Sequence, residues 1–169
     1  EILGFSHMVL LPSLARDVLN VGSEGLGIMH AFRALGGIIA VLLLSSFGDR
    51  PRKGLSYMIV LLLFGGGLVL LGNASTFLVA LSAVMLVSGM ATLSDVFSQS
   101  MMQIAVPDQL RGRAMGAWVF AVGTAPVGQL QIGYLSGLAS PKIALIVNGT
   151  VLAFLAVTMG VVMPRLRRL

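Results

Sequence analysis

Cysteine is absent from this sequence, which removes disulfides, thiolate metal sites and cysteine nucleophiles at once. Charge is nearly as scarce, at 10% of 169 residues. A soluble domain of that size needs a far larger polar surface, so most of this surface must face something other than water. Histidine occurs twice, which does not make a metal site, and no acid cluster of metal-ligand type replaces it. No metal or other cofactor is expected. The net charge of +5 would suit nucleic acid, but the basic residues sit in short clusters without the aromatic interleaving of a base-stacking surface. No nucleic-acid partner is expected either.

What the chain has is hydrocarbon. Hydrophobic residues make up 57%, and the mean hydropathy is +0.98, values that belong to a protein dissolved in lipid. A helix needs about 20 apolar residues to cross a bilayer. Five segments reach that length: 25–47, 55–72, 76–104, 114–138 and 141–163. They lack the period-two alternation of a membrane barrel, and backbone groups in lipid leave helices as the other solution. Residues 1–11, EILGFSHMVLL, are too short to span. They read as the second half of a helix ending near Pro12. The chain begins at Glu1 without an initiator methionine or a signal peptide, and reads as a piece of something longer. The expected fold is an all-α integral membrane bundle of five full transmembrane helices plus a truncated first one.

Alternation of the loops sorts the basic residues. The 48–54 loop, the 105–113 loop and the tail at 164–169 hold Arg50, Arg52, Lys53, Arg111, Arg113, Arg165, Arg167 and Arg168. The opposite side holds Arg16 and Lys142, and Arg33 lies within a span. The positive-inside rule makes the first side, with the basic tail, cytoplasmic. Trp118 and Tyr57 follow basic loops by a few residues, where an aromatic belt lies.

The loop GDRPRKG, 48–54, carries more than topology. Asp49, Arg50, Arg52 and Lys53 match the charged positions of the signature loop between the second and third helices of each six-helix half in the major facilitator superfamily. Ser45 replaces that pattern's first glycine, and the spacing around Pro51 and Gly54 is shortened. The segment VPDQLRGRAMGAW, 106–118, resembles the loop before the eleventh helix in the exporter branch that includes siderophore and drug exporters, through Pro107, Leu110, Arg111, Gly112, Arg113 and Gly116. The whole chain then resembles helices seven (truncated) to twelve, the C-terminal half of a twelve-helix transporter of the bacterial inner membrane. The resemblance implies that the charged loop helps to hold one conformation, and that the partners are a missing N-terminal half of the same polypeptide, the lipid bilayer, a small-molecule substrate and protons. From the residues alone, the short loop after 25–47 makes that helix and 55–72 antiparallel neighbours. Arg111 and Arg113 either contact anionic headgroups or latch onto the other half.

Glycine is concentrated in the spans, 21 residues in all. GTAPVGQLQIGYLSG, 123–137, contains Gly123, Pro126, Gly128, Gly133 and Gly137, the last two in GxxxG spacing. Small residues allow close helix approach, and Pro126 permits a bend. Packing and a hinge are both open there, whereas FGGGLVLLG, 64–72, reads as packing.

Ionisable groups in lipid usually face a cavity or one another. Gly27, His30, Arg33 and Gly37 share one sector of the 25–47 helix, and Ser88, Thr92, Asp95, Gln99 and Gln103 recur at intervals of three and four on 76–104. Depth counts from the two membrane faces disagree for Arg33 and Asp95, so no direct salt bridge between them is expected. Gln129, Gln131 and Asn148 touch substrate or bond neighbouring helices. The expected function is secondary active transport, the proton-coupled efflux of small organic molecules by alternating access. Asp95 is the candidate for coupling, Arg33 for charge balance or an anionic substrate, and His30 for a secondary proton role, while Gln99, Gln129 and Gln131 are further pathway candidates. A non-transporting membrane assembly protein is the alternative. A membrane-embedded enzyme is the weaker rival, with no nucleophile and base to support it.

Overall fold

A computed structural model describes residues 1–46 and 53–162. Asp49, Arg50 and Arg52 of the charged loop and the basic tail lie outside the described residues. The rest is helical, with no strand among the described residues. A 3-10 turn at Phe5–Leu10 runs through α1 (Leu11–Ser13) into a π-helical turn at Leu14–Val18. There follow α2 (Gly22–Ser46), α3 (Lys53–Gly72), α4 (Phe77–Ala105), α5 (Arg111–Val122), α6 (Ala125–Leu138) and α7 (Pro141–Val162). Four of these, α2, α3, α4 and α7, are long and apolar enough to cross a membrane.

Two expected helix bounds are corrected. Pro12 does not end the first helix, because it sits in the first turn of α1, where a missing N–H removes no intrahelical bond. The chain leaves helical geometry only near Asn20, whose φ of 53° is left-handed and is followed by Gly22 at 64°. The 114–138 segment is divided. Pro126 stands at the start of α6 and donates no hydrogen bond, while Thr124 N bonds back to the Ala121 carbonyl at 3.0 Å, closing a tight turn. Each piece is shorter than the length needed to span, at 12 and 14 residues.

Without water inside the bilayer, helices gain little from hydrophobic burial against one another, and close packing must hold them together. Glycine supplies it. A Cβ added at Gly65 would lie 2.5 Å from the Gly149 carbonyl oxygen, and one at Gly149 would lie 2.5 Å from the Gly65 oxygen, so α3 and α7 cross backbone to backbone. Gly72 faces Lys142 and Ile146, and Gly160 faces Met58, which makes the pair antiparallel. On the other side of the bundle Gly36 meets the Met85 carbonyl and Gly89 meets Gly36 and Ala40, so α2 and α4 run parallel. Gly67 approaches Val87, and Tyr57 faces Ser94 and Ser98, setting α3 antiparallel to α4. Helix directions therefore place Lys53, Arg111 and Arg113 at one end and Lys142 at the other.

The order in space is α2, α4, α3, α7. The expected contact of α2 with α3 gives way to α4, which packs strongly against both. A groove of about 420 Å³ separates α2 and α3, floored by α4 and lined by Gly36, Ala40, Leu43, Val60, Leu86 and Gly89 among others. The core joins α3, α4 and α7 to the first turns through Leu10, Leu11, Leu14, Phe64, Leu68 and Val84. α6 lies on the Phe5–Leu10 turn and on α7, with Gly128 against the Ile2 backbone. Among the described residues Gly133 and Gly137 face no neighbour within 4 Å, and α5 buries no residue.

Backbone cannot yield at the α3–α7 crossing. Gly65→Ala should cost about 2–3 kcal/mol, an ordinary overpacking penalty, whereas Gly137→Ala should change stability by under about 0.5 kcal/mol. Unfolding of the purified full-length protein in detergent measures both, and equal effects would contradict the crossing.

Candidate functional site

The polar side chains gather where the first ten residues thread between the long helices. Asn148, on α7, is 1% exposed, and Gln131 reaches it from α6. The Gln131 side chain donates to Asn148 Oδ1 at 3.0 Å, and Asn148 Nδ2 donates to Gln131 Oε1 at 3.2 Å. The same Asn148 nitrogen is 3.1 Å from Ser6 Oγ and 3.4 Å from the Leu3 carbonyl. This network binds three elements together, and it is a structural joint because each amide satisfies the other.

One turn further on, His7 is buried at 1% exposure. Its Nδ1 is 2.6 Å from the Gly4 carbonyl, and its ring meets Phe64 of α3 edge to face with centroids 6.2 Å apart. Gly4 is required for this, since a Cβ there would run into the Phe64 ring at 2.6 Å. Arg33 comes from α2 and lies within electrostatic reach of His7. Its Nη1 donates to Met8 Sδ at 3.1 Å, a weak acceptor. Arg33 Nε and His7 Nε2 are both buried without a hydrogen-bond partner. Among the described residues no carboxylate pairs with Arg33.

A second polar level lies on α4. Asp95 is half-buried, with Glu1 in electrostatic reach, and Tyr57, Ser94 and Ser98 stand beside it. The parallel register of α2 and α4 fixes its distance from the first level. Gly37 faces Thr92, Arg33 precedes the one and Asp95 follows the other, so about 10 Å of helix separates the two charges. No salt bridge joins them. Thr92 and Ser88 lie between, with Thr92 Oγ1 bonded to the Ser88 carbonyl at 3.0 Å.

The remaining expected residues stand elsewhere. His30 and Gln129 are exposed on the outside of the bundle, Gly27 opens onto nothing within 4 Å, and Gln99 is half-buried on α4 below Asp95. Arg111 pairs with Asp108 at 2.8 Å in the loop before α5, and Arg113 is exposed. Gly123 packs on carbonyls of its own helix, those of Val119 and Phe120. His7 escaped the reading of the sequence because its segment was too short to count as a span. The signal that could have found it is an ionisable residue within the apolar run EILGFSHMVLL. No protein-family model, curated protein or solved structure matches the chain.

The amide joint predicts its own cost. Asn148→Leu strands the Gln131 amide, while the Ser6 hydroxyl keeps its bond to the Leu3 carbonyl, and should lower stability by about 1–2 kcal/mol. Asn73→Ala, at an exposed residue, should change it by under about 0.5 kcal/mol. Unfolding midpoints of the two full-length variants in detergent decide, and an Asn148→Leu protein as stable as the Asn73→Ala protein would show that the network contributes nothing.

Proposed function

We propose that this chain is the C-terminal six-helix half of a secondary active transporter of the major facilitator type, which moves small organic molecules out of the cell in exchange for protons. The observation that carries the reading is the presence of ionisable groups inside membrane-length helices, Arg33 on α2 and Asp95 on α4, with His7 of the Phe5–Leu10 turn packed at the level of Arg33. Charges in lipid are costly to retain and mark ion and substrate paths. The GDRPRKG and VPDQLRGRAMGAW loops support the same reading through their resemblance to transporter loops. So does the break between α5 and α6, since interrupted helices border transport sites. In this account α5 and α6 together form the fifth span, and residues 1–18 belong to the truncated first one.

Transport then proceeds by rocking this bundle against a second half. The α6 surface bearing Gly133 and Gly137 is small enough for close approach, and the basic loops lie on the cytoplasmic side. Asp95 takes up and releases a proton as its surroundings alternate between wet and dry. An assembly protein would use the glycine crossings equally well, but it has no need of Arg33 and Asp95 within its spans.

In the full-length protein reconstituted into vesicles, Asp95→Asn should insert and fold as the native protein does, yet lose the dependence of flux on an imposed proton gradient. Normal proton coupling in that variant would make the carboxylate structural and remove the basis of this reading.

A further inference from the structure

We propose that the groove between α2 and α3 binds one anionic phospholipid, with an acyl chain laid along α4 and the headgroup at the basic end of the bundle. Such a site needs only the membrane, so it stands apart from the transport reading.

The groove exists because α4 packs between α2 and α3, and its floor is recessed because the residues there are small, Gly36 and Ala40 on α2 and Gly89 on α4. Its rims, Ile39 and Leu43 on α2 and Ile59 and Leu63 on α3, are exposed, so it opens sideways from the bundle. In helices of membrane length that opening faces hydrocarbon, where no water competes for an apolar surface. The lining is apolar apart from Ser56 and Ser82, and none of it belongs to the Ser88, Thr92, Asp95 face of α4. The groove is therefore separate from the polar track.

Size selects the occupant. From Gly36 to Leu44 the groove follows α2 for about 12 Å, and its volume is about 420 Å³. A helix about 10 Å across, laid over the same length, fills roughly 900 Å³ and does not fit. An acyl chain is about 4 Å across, one carbon contact distance, and does. Depth and charge then select the lipid. Gly36 lies ten residues from the end of α2 at Ser46, and Leu63 ten from the start of α3 at Lys53. Those ten residues cover about 15 Å, one leaflet of a hydrocarbon core about 30 Å thick. The groove thus lies in the leaflet whose headgroups meet the basic end. There Ser56 lines it one turn inside Lys53. Arg111 and Arg113 stand at the same end, and Asp108 is the acid beside them among the described residues. Positive charge at the headgroup layer favours an anionic lipid by about fivefold per residue.

The test is photolabelling of the full-length protein in phosphatidylcholine nanodiscs. The probe is phosphatidylglycerol or phosphatidylcholine, each with the same diazirine-bearing acyl chain, and adducts are mapped by peptide mass spectrometry. Groove peptides holding Leu43 and Ile59 should be labelled about fivefold more by the phosphatidylglycerol probe, whereas the outer face at Phe154, also exposed, should be labelled alike by both. Ile59→Trp fills the recess from its exposed rim and should reduce groove labelling to the level at Phe154, while Leu62→Trp, exposed outside the groove, should leave it unchanged. Lys53→Gln should remove most of the preference for phosphatidylglycerol. Equal labelling of the groove by both probes in the native protein would show ordinary bulk lipid there and overturn the site. No labelling of the groove would show that protein covers it, a second copy or another segment of the full-length chain, and would overturn the site as well. Labelling unchanged in Ile59→Trp would overturn the position of the acyl chain, and a preference unchanged in Lys53→Gln would overturn that of the headgroup.

Discussion

Two glycine crossings hold this bundle, and the rest of its architecture follows from them. Helices in lipid attract one another mainly through close contact, so the point where two backbones touch fixes their angle and register. Gly65 on Gly149 fixes α3 to α7, and Gly36 with Gly89 fixes α4 beside α2. Once α4 is set between α2 and α3, its Ser88, Thr92, Asp95 face is turned toward α2 and the first residues of the chain. The charged groups are therefore inside the bundle because small residues elsewhere let the helices close around them.

The amide joint of Asn148, Gln131 and Ser6 fixes what the glycines do not, the path of residues 1–10 across three helices. That path carries Glu1 to the level of Asp95 and His7 to the level of Arg33. The joint is fully paired, and the His7–Arg33 level is not.

The long apolar helices were readable in the sequence because length and composition alone define them, and α2, α3, α4 and α7 fall within a few residues of the expected spans. Gly65, Gly67 and Gly72 were readable as packing for the same reason, their density. Partner choice was not. A helix apolar on every face gives no periodicity to say which neighbour it meets, so the short loop after α2 suggested α3 where α4 takes the place. The GxxxG pair Gly133 and Gly137 shows the converse, a packing motif with no neighbour against it among the described residues. Pro126 marked a bend, and the structure makes it a division of the helix. Arg33 and Asp95 were found as charges within apolar spans, while depth counts from the two faces disagreed on their separation, which the parallel register of α2 and α4 supplies. His7 was missed because its helix is short, although its burial exceeds that of either.

The central claim is that a hydrated polar track runs along α4 inside the bundle while the outer faces of α3 and α7 meet lipid. Because residues 1–169 contain no cysteine, single cysteines introduced into an otherwise cysteine-free full-length protein report it directly through a charged, membrane-impermeant thiol reagent. Thr92→Cys and Ser88→Cys, on the track, should react in intact membranes, and Leu62→Cys and Phe154→Cys, on the outer faces, should stay unmodified. Reaction at the Leu62 and Phe154 positions with protection at Thr92 and Ser88 would contradict the account.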